Sequence, residues 1–321
     1  FFHASQLIRR QQQMVRNARP WAAETLSSTR GLTTAVACVF ASLALALTGC
    51  STSSSPGAAH SPKGATGATG SGIAAPADVQ KAGVVTFCAD LSYPPLTFME
   101  NNKPSGIDVD LADALTGLMG VKARFQQTGF PDIIGALQTS KCDAIMNGMN
   151  GTAQRGKAIA MVPYLEDGHG FAVAKSNPKN IATLDDLAGK SVAAQLGSSD
   201  QQYLEDLSKK FTSEGKKAIN IVTFPQDTAA FAALGTGRVD AFFQDLLVLG
   251  YYAQKYSDTV QISDVSTNNQ PIVIGVRKND PALVAAFEKG LEQMYKNGTV
   301  NGIAKKWGIP DANLLTGTYA K

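Results

Sequence analysis

Little of this 321-residue chain is charged: Asp, Glu, Lys and Arg together make 17% of it, and the formal net charge is only +3. Even that excess is local. Residues 1–49 hold five Arg and one Glu, a charge of +4, which leaves 24 basic against 25 acidic residues from Cys50 onward, or −1. A nucleic-acid surface needs a clustered basic stripe, so no nucleic-acid partner is expected. Cysteine is scarce too, with four residues, at 38, 50, 88 and 142. So few ligand-type side chains make a metal cage unexpected, and neither metal nor cofactor is called for. Apolar runs of membrane-spanning length are also lacking. Gly31–Leu47 is uncharged but marginal for a span, and Thr33, Thr34 and Ser42 weaken it further. Nothing long and apolar follows Trp307, which argues against a sensor ectodomain continuing into a membrane helix.

What is present begins with an address. The chain opens on Phe1; Met14 reads as the start, with residues 1–13 an upstream extension. Arg16, Arg19 and Arg30 precede the uncharged run, the layout of a basic region followed by the apolar core of a signal peptide. The run ends in Leu47-Thr48-Gly49-Cys50, which resembles a bacterial lipobox, with cleavage before Cys50 and lipid on its thiol. Arg9-Arg10 lacks the surroundings of a twin-arginine signal. Residues 51–77 are almost wholly Ser, Gly, Ala, Thr and Pro. Such a segment cannot bury enough apolar surface to order itself, and as a coil it spans on the order of 25–30 Å. It reads as a tether between a lipid anchor and a soluble body.

The body is organised around Phe130–Arg155. Asp132 is placed as an N-cap, and Ile133, Ile134 and Leu137 give the following helix an apolar face. Ala144–Met146 reads as a short buried strand, followed by a Gly- and Asn-rich loop ending at Arg155. Open α/β sheets bind ligands in loops at the carboxyl ends of their strands. The phrase then recurs: Ala136-Leu137-Gln138-Thr139-Ser140-Lys141-Cys142-Asp143-Ala144 matches Ala233-Leu234-Gly235-Thr236-Gly237-Arg238-Val239-Asp240-Ala241, 97 residues later. That period is too long for a solenoid and suits two similar α/β lobes. Arg155 closes the first unit and Gln244-Asp245 the second. Upstream, Val84–Phe87 reads as a first strand leading to Asp90, and Leu111, Leu115 and Leu118 mark an apolar helix stripe whose start Asp108 and Asp110 would cap. With export, a Cys88–Cys142 disulfide is chemically possible. Strands with level ends would hold the two four residues out of step, roughly 13 Å, and only a staggered register would join them. The pairing stays open at this point.

Several ordered motifs then carry a resemblance: Asp90-x-x-Tyr93-Pro94-Pro95, Gly106-x-Asp108-x-Asp110-Leu111, the Leu137–Ala144 unit, Gly148-x-x-x-Thr152-x-x-Arg155, and Pro163-Tyr164. From about Val84 to Trp307 the chain resembles the polar amino-acid family of solute-binding proteins, the receptors of bacterial ABC importers. The resemblance implies an α/β, two-lobed periplasmic-binding-protein fold with two crossover strands (type II), here Gly170–Lys175 and Pro271–Lys278. It implies a first lobe from 78–172 and 275–321 and a second from 173–274, after a signal at 1–49 and a lipidated linker at 50–77.

The resemblance also implies a monomer that closes on a free amino acid and delivers it to an ABC permease. A lipid on Cys50 would hold it at the membrane, facing the periplasm or cell exterior. An α-amino acid needs a planar cationic fork for its carboxylate and an acid for its ammonium; Arg155 and Asp245 align with those roles. Gly148 and Asn150 complete the first-lobe contacts, although Asn150 stands where the family prefers Ser or Thr. Ser198 and Ser199 add donors from a turn at a helix start. Tyr93 and Phe130 form aromatic walls, and Asp90, Gln195 and Gln244 bracket the ligand's side chain. Glutamine or another polar amino acid is placed ahead of a basic one. The alternatives are an enzyme on the same fold, resembling cyclohexadienyl dehydratase, or a ligand-sensing module. For the former, Asp90 and Asp132 are the acids available, with His169 read as a hinge or surface residue. No catalytic residue is assigned.

Overall fold

The computed structural model describes residues 72–315 and Thr318. The signal, the lipobox at Cys50 and most of the tether therefore lie outside the described residues. The end of the tether does not: Ile73 packs on the core and Ala75 is buried.

Eight strands form one mixed sheet, in the order β5-β1-β6-β11-β7-β10-β8-β9. They are β1 (Val84–Ala89), β5 (Lys122–Gln127), β6 (Ala144–Ile145), β7 (Ala160–Ala174), β8 (Ser191–Gln195), β9 (Asn220–Phe224), β10 (Ala241–Asp245) and β11 (Val260–Val276). A small antiparallel sheet holds β2 (Ser92–Tyr93), β3 (Thr97–Glu100) and β4 (Lys103–Ser105). At one end of the large sheet β1 lies parallel between β5 and β6; at the other β8 lies parallel between β9 and β10. Inner strands such as β1 are almost wholly buried, as helices on both faces require. Edge strand β5 is polar and mostly exposed, which leaves little for another chain to pair with. Phe87, from β1, stacks on Phe125 and Phe287 at 5.5 and 6.0 Å.

The repeated phrase becomes a repeated structure. Helix Ile133–Gln138 leads into β6 and helix Asp227–Gly235 into β10. In each, the threonine closes its helix by donating to the carbonyl four residues back, Thr139 to Gly135 at 2.8 Å and Thr236 to Ala232 at 3.1 Å. The next residue turns left-handed, Ser140 at φ 57° and Gly237 at φ 70°. Each aspartate then binds the neighbouring parallel strand twice. Asp143 Oδ2 accepts Thr86 N–H at 2.8 Å while its own N–H donates to Thr86 O at 2.8 Å. Asp240 does the same with Ser191, at 2.9 and 2.7 Å.

Asp132 stands at the N-cap of helix Ile133–Gln138 as expected, at the end of a 3₁₀ turn, Phe130–Asp132, but its side chain makes no capping hydrogen bond. Two local expectations are corrected. Asp108 and Asp110 do not cap their helix, Ile107–Leu118; its N-cap is Gly106, whose hypothetical Cβ would lie 2.0 Å from Leu96 O. Asp110 instead accepts from Lys306 Nζ and Trp307 Nε1, tying the helix to the C-terminal one. Buried Asp108 accepts from Thr97 Oγ1, Gly148 N and Tyr164 Oη at 2.7–2.8 Å. Burial pushes its carboxyl up to about 6 against those three donors.

The question of the cysteines is answered: Cys88 and Cys142 form a disulfide, with Cα atoms 5.6 Å apart. The strands are staggered, Cys88 facing Ile145, and β6 starts only at Ala144. The chain before it bends against β1, as the Asp143–Thr86 bonds show, and carries Cys142 back to Cys88.

The segments Gly170–Lys175 and Pro271–Lys278 belong to much longer strands. β7 and β11 have 15 and 17 residues and pair antiparallel through the middle of the sheet. β11 also pairs with β6, and β7 with β10, so together they join the two parallel ends. Their register breaks between Ser266 and Gln270, opposite His169 and Asp167.

Candidate ligand-binding site

The two parallel ends face each other through the residues at their strand termini. Arg155 lies on the short helix Ala153–Ala158, whose N-cap Thr152 accepts Arg155 N–H at 3.2 Å. The side chain is 9% exposed and its guanidinium sits 5.3 Å over the Phe130 ring. Nη1 donates to Asn150 O at 2.8 Å and Nη2 reaches Gly197 O at 3.1 Å. Burial pulls its pKa down, while Asp245, Asp200 and Tyr93 hold it up.

Asp245 ends β10 and is buried. Tyr93 Oη donates to its Oδ2 at 2.5 Å and lies 3.0 Å from Gln244 Oε1. Asn150 Nδ2 donates to Asp245 Oδ1 at 3.3 Å, and Ser199 Oγ to Asn150 Oδ1 at 2.9 Å. Further along, Gln195 Nε2 donates to Asp90 Oδ2 at 2.8 Å. Asp90 also accepts from Ser92 Oγ at 2.8 Å, and burial raises its pKa despite these bonds. Its backbone N–H donates to Asn147 Oδ1 at 2.6 Å.

Tyr93, Asn150, Arg155, Ser199, Gln244 and Asp245 therefore meet in one hydrogen-bonded cluster, with Phe130 under the guanidinium, while Asp90 and Gln195 form a separate pair across the two ends. Gly148 borders it: its N–H goes to Asp108, and its φ of 57° lets the loop pass against Tyr93. Ser198 is turned elsewhere, since its hydroxyl caps helix Ser199–Ser213 by accepting Gln201 N–H at 3.0 Å.

Two clustered binding lobes, an arginine and an aspartate closing equivalent units, and the motif order are now all in place. A model of the bacterial extracellular solute-binding proteins, family 3, matches residues 85–310. The chain belongs to that family. Over 236 residues it is 33% identical to the putative amino-acid ABC transporter-binding protein PatH of Vibrio harveyi, covering 72% of this chain and 91% of PatH. Over 231 residues it is 26% identical to the L-cystine-binding protein TcyJ of Escherichia coli K12, covering 71% and 84%. Among solved structures, an ancestral arginine-binding protein bound to arginine matches with a TM-score of 0.65 at 36% identity, covering 70% of this chain and 98% of that one. These relatives are named as binding proteins, and this chain, as a member of the same family, is a solute-binding protein rather than an enzyme.

Sequence reasoning missed several residues of this family-3 site. His169 is not a surface residue; it is 2% exposed, with Nδ1 2.7 Å from Asp200 Oδ1 and 3.4 Å from Asp245 Oδ1. Asp227, buried, accepts from Tyr252 Oη at 2.8 Å and Gln244 Nε2 at 2.5 Å, and burial pushes it up to about 7. Asp167 accepts Leu247 N–H at 2.9 Å, capping the helix that starts after Asp245. One usable signal was Gly168-His169-Gly170, glycines flanking a histidine within a strand pattern. His169, Asp200 and Asp245 have ligand-type atoms within 4.8 Å of one another. Two ligands on one tetrahedral ion at about 2.0 Å stand about 3.3 Å apart. The 2.7 Å between Nδ1 and Asp200 Oδ1 is instead the spacing of a shared proton, so the trio does not read as a metal centre.

Proposed function

We propose that this protein captures one free polar α-amino acid outside the cytoplasm and delivers it to an ABC permease, working as a monomer. The observation carrying this reading is the placement of buried Arg155 and Asp245 in one cluster, each just beyond one copy of the repeated unit. Arg155 takes the α-carboxylate, helped by Asn150 and the Ser199 hydroxyl, while Gly148, whose N–H is held by Asp108, offers only its carbonyl, an acceptor for the ammonium. Asp245 takes the α-ammonium. Tyr93 and Phe130 flank the ligand, and Asp90, Gln195 and Gln244 receive its side chain. Acceptors at that end favour a side chain bearing N–H donors, an amide as in glutamine or a basic group. The amino acids in the relatives' names support the ligand class.

The lobes of this reading are 78–172 with 275–321, and 173–274. The pivot falls where β7 and β11 lose register, at Asp167–His169 and Ser266–Gln270. The lipobox at Leu47–Cys50 supports a lipid anchor on Cys50; Cys50→Ala should abolish metabolic lipid labelling, and normal labelling would remove the anchor from the proposal.

Calorimetry with L-glutamine and L-arginine tests the clamp. Arg155→Ala should weaken binding of the cognate amino acid at least a hundredfold, about 2.7 kcal/mol, because the ligand carboxylate would stay desolvated and unpaired. Amidating that carboxylate should mimic Arg155→Ala, and removing the amine should mimic Asp245→Asn. Binding by Arg155→Ala within about threefold of wild type, under 1 kcal/mol, would refute the assignment.

A further inference from the structure

We infer that His169 is a positioning residue for the ammonium site: its imidazolium, shared between Asp200 and Asp245, supplies the buried positive charge that holds down the proton affinity of Asp245. The inference rests on the function proposed above. His169 and Asp245 are direct register partners across the antiparallel β7–β10 pair, so their side chains leave the same face of the sheet. Asp200 comes down onto the same ring nitrogen from the first turn of helix Ser199–Ser213. All three side chains are 1–2% exposed. Two carboxylates meeting in so dry a place cannot both stay ionised unless a cation stands between them, and an acid that holds its own proton is a poor partner for an ammonium.

The other ring nitrogen, Nε2, is buried with no hydrogen-bond partner among the described residues, which works against the cation; the rest of the surroundings favour it. Tyr203 and Phe243 stack on the imidazole at 5.9 and 6.1 Å and fix its plane. Asp167, two residues earlier on β7, adds a third acid to the field on the ring. The residue opposite on β11 is Ser266. Arg155 is a second cation in the field of Asp245 and Asp200. Burial works against charge on His169, but Asp200 first, then Asp245 and Asp167, raise its pKa to about 9. Burial and then Asp200 raise Asp245 to about 7, and His169 keeps it from rising further. Ligand affinity should therefore fall as acid protonates Asp245, and loss of the imidazolium should move that fall to higher pH.

His169→Asn keeps an N–H donor for Asp200 but removes the charge. Two readouts on the full chain separate the possibilities. The first is the carboxyl ¹³C titration of Asp245 without ligand, which should move up by about one pH unit or more in the variant, a tenfold change in proton affinity. The second is Kd against pH for L-glutamine and L-arginine, whose acidic limb should move up by the same amount, leaving the variant about tenfold weaker than wild type at pH 6. Imidazole ¹⁵N shifts, with His169 identified against His3 and His60 by its absence from the variant, should show a cation at pH 8. A neutral His169 at pH 7, or an unmoved Asp245 titration, would overturn the inference even if wild type binds amino acids. Failure of wild type to bind any amino acid would instead remove the proposed function, with the Asp245 titration still deciding whether His169 sets its charge.

Discussion

Gly148 turns left-handed at φ 57°, and a Cβ there would lie 2.7 Å from both the Tyr93 ring and a Leu96 methyl. Its N–H is held by Asp108 at 2.7 Å, so the loop cannot drift away from Tyr93 to make room. Gly148→Ala should therefore cost about 1–3 kcal/mol, from a strained backbone and overpacking together. It should also weaken ligand binding by displacing Tyr93 from Asp245. Urea unfolding of the unliganded protein measures the first effect; a variant as stable as wild type would show that the ring yields freely. The same residue-scale logic separates the two aspartates of the Gly106–Leu111 motif. Asp110 ties down a helix on the surface, whereas Asp108 is wholly inside and braces the loop that carries Gly148.

At the scale of elements, the repeated phrase is a device for ending a helix and entering a parallel strand. The threonine, the left-handed residue and the double-bonded aspartate recur with nearly the same geometry at β6 and β10. Equal geometry predicts equal energetics. Asp240→Ala strands Ser191 N–H and Asp143→Ala strands Thr86 N–H, each at a cost of about 1–3 kcal/mol. Denaturant unfolding of the two variants should give losses within about 1 kcal/mol of each other by the same principle. A loss at only one site would mean that the likeness of the two units is one of shape alone.

For the folded body as a whole, the decisive elements are β7 and β11. Together they join the two parallel ends of the sheet, so any relative movement of those ends must be absorbed along them, and the widest break in their register lies beside Asp167–His169. The bonds Asp90–Gln195, Tyr93–Asp245 and Arg155–Gly197 join the two ends directly. A ligand that contacts both ends favours the closed arrangement by its differential affinity for it. Small-angle scattering should accordingly show a smaller radius of gyration with saturating ligand, and no change would argue against closure about this pivot.

The sequence by itself determined the first strand, the helix–strand unit that ends in Ala144–Met146 and the repeat that relates it to Ala233–Ala241, and the family resemblance pointed to Arg155 and Asp245 as the charged pair to watch. Those features are written in apolar periodicity and in motifs read within a dozen positions. Only the tertiary structure decided what the buried polar groups do. Asp108 finds Gly148 40 residues away, and Gln195 finds Asp90 at a separation of 105. Cys142 reaches Cys88 because the chain before β6 bends onto β1, and Ser198 turns to its own helix while Ser199 faces Asn150. His169 looked like a surface residue because nothing near it in sequence names Asp200 as its partner. A buried charge must be compensated wherever the fold brings compensation within reach, and that distance is measured through space, where the sequence alone has no scale.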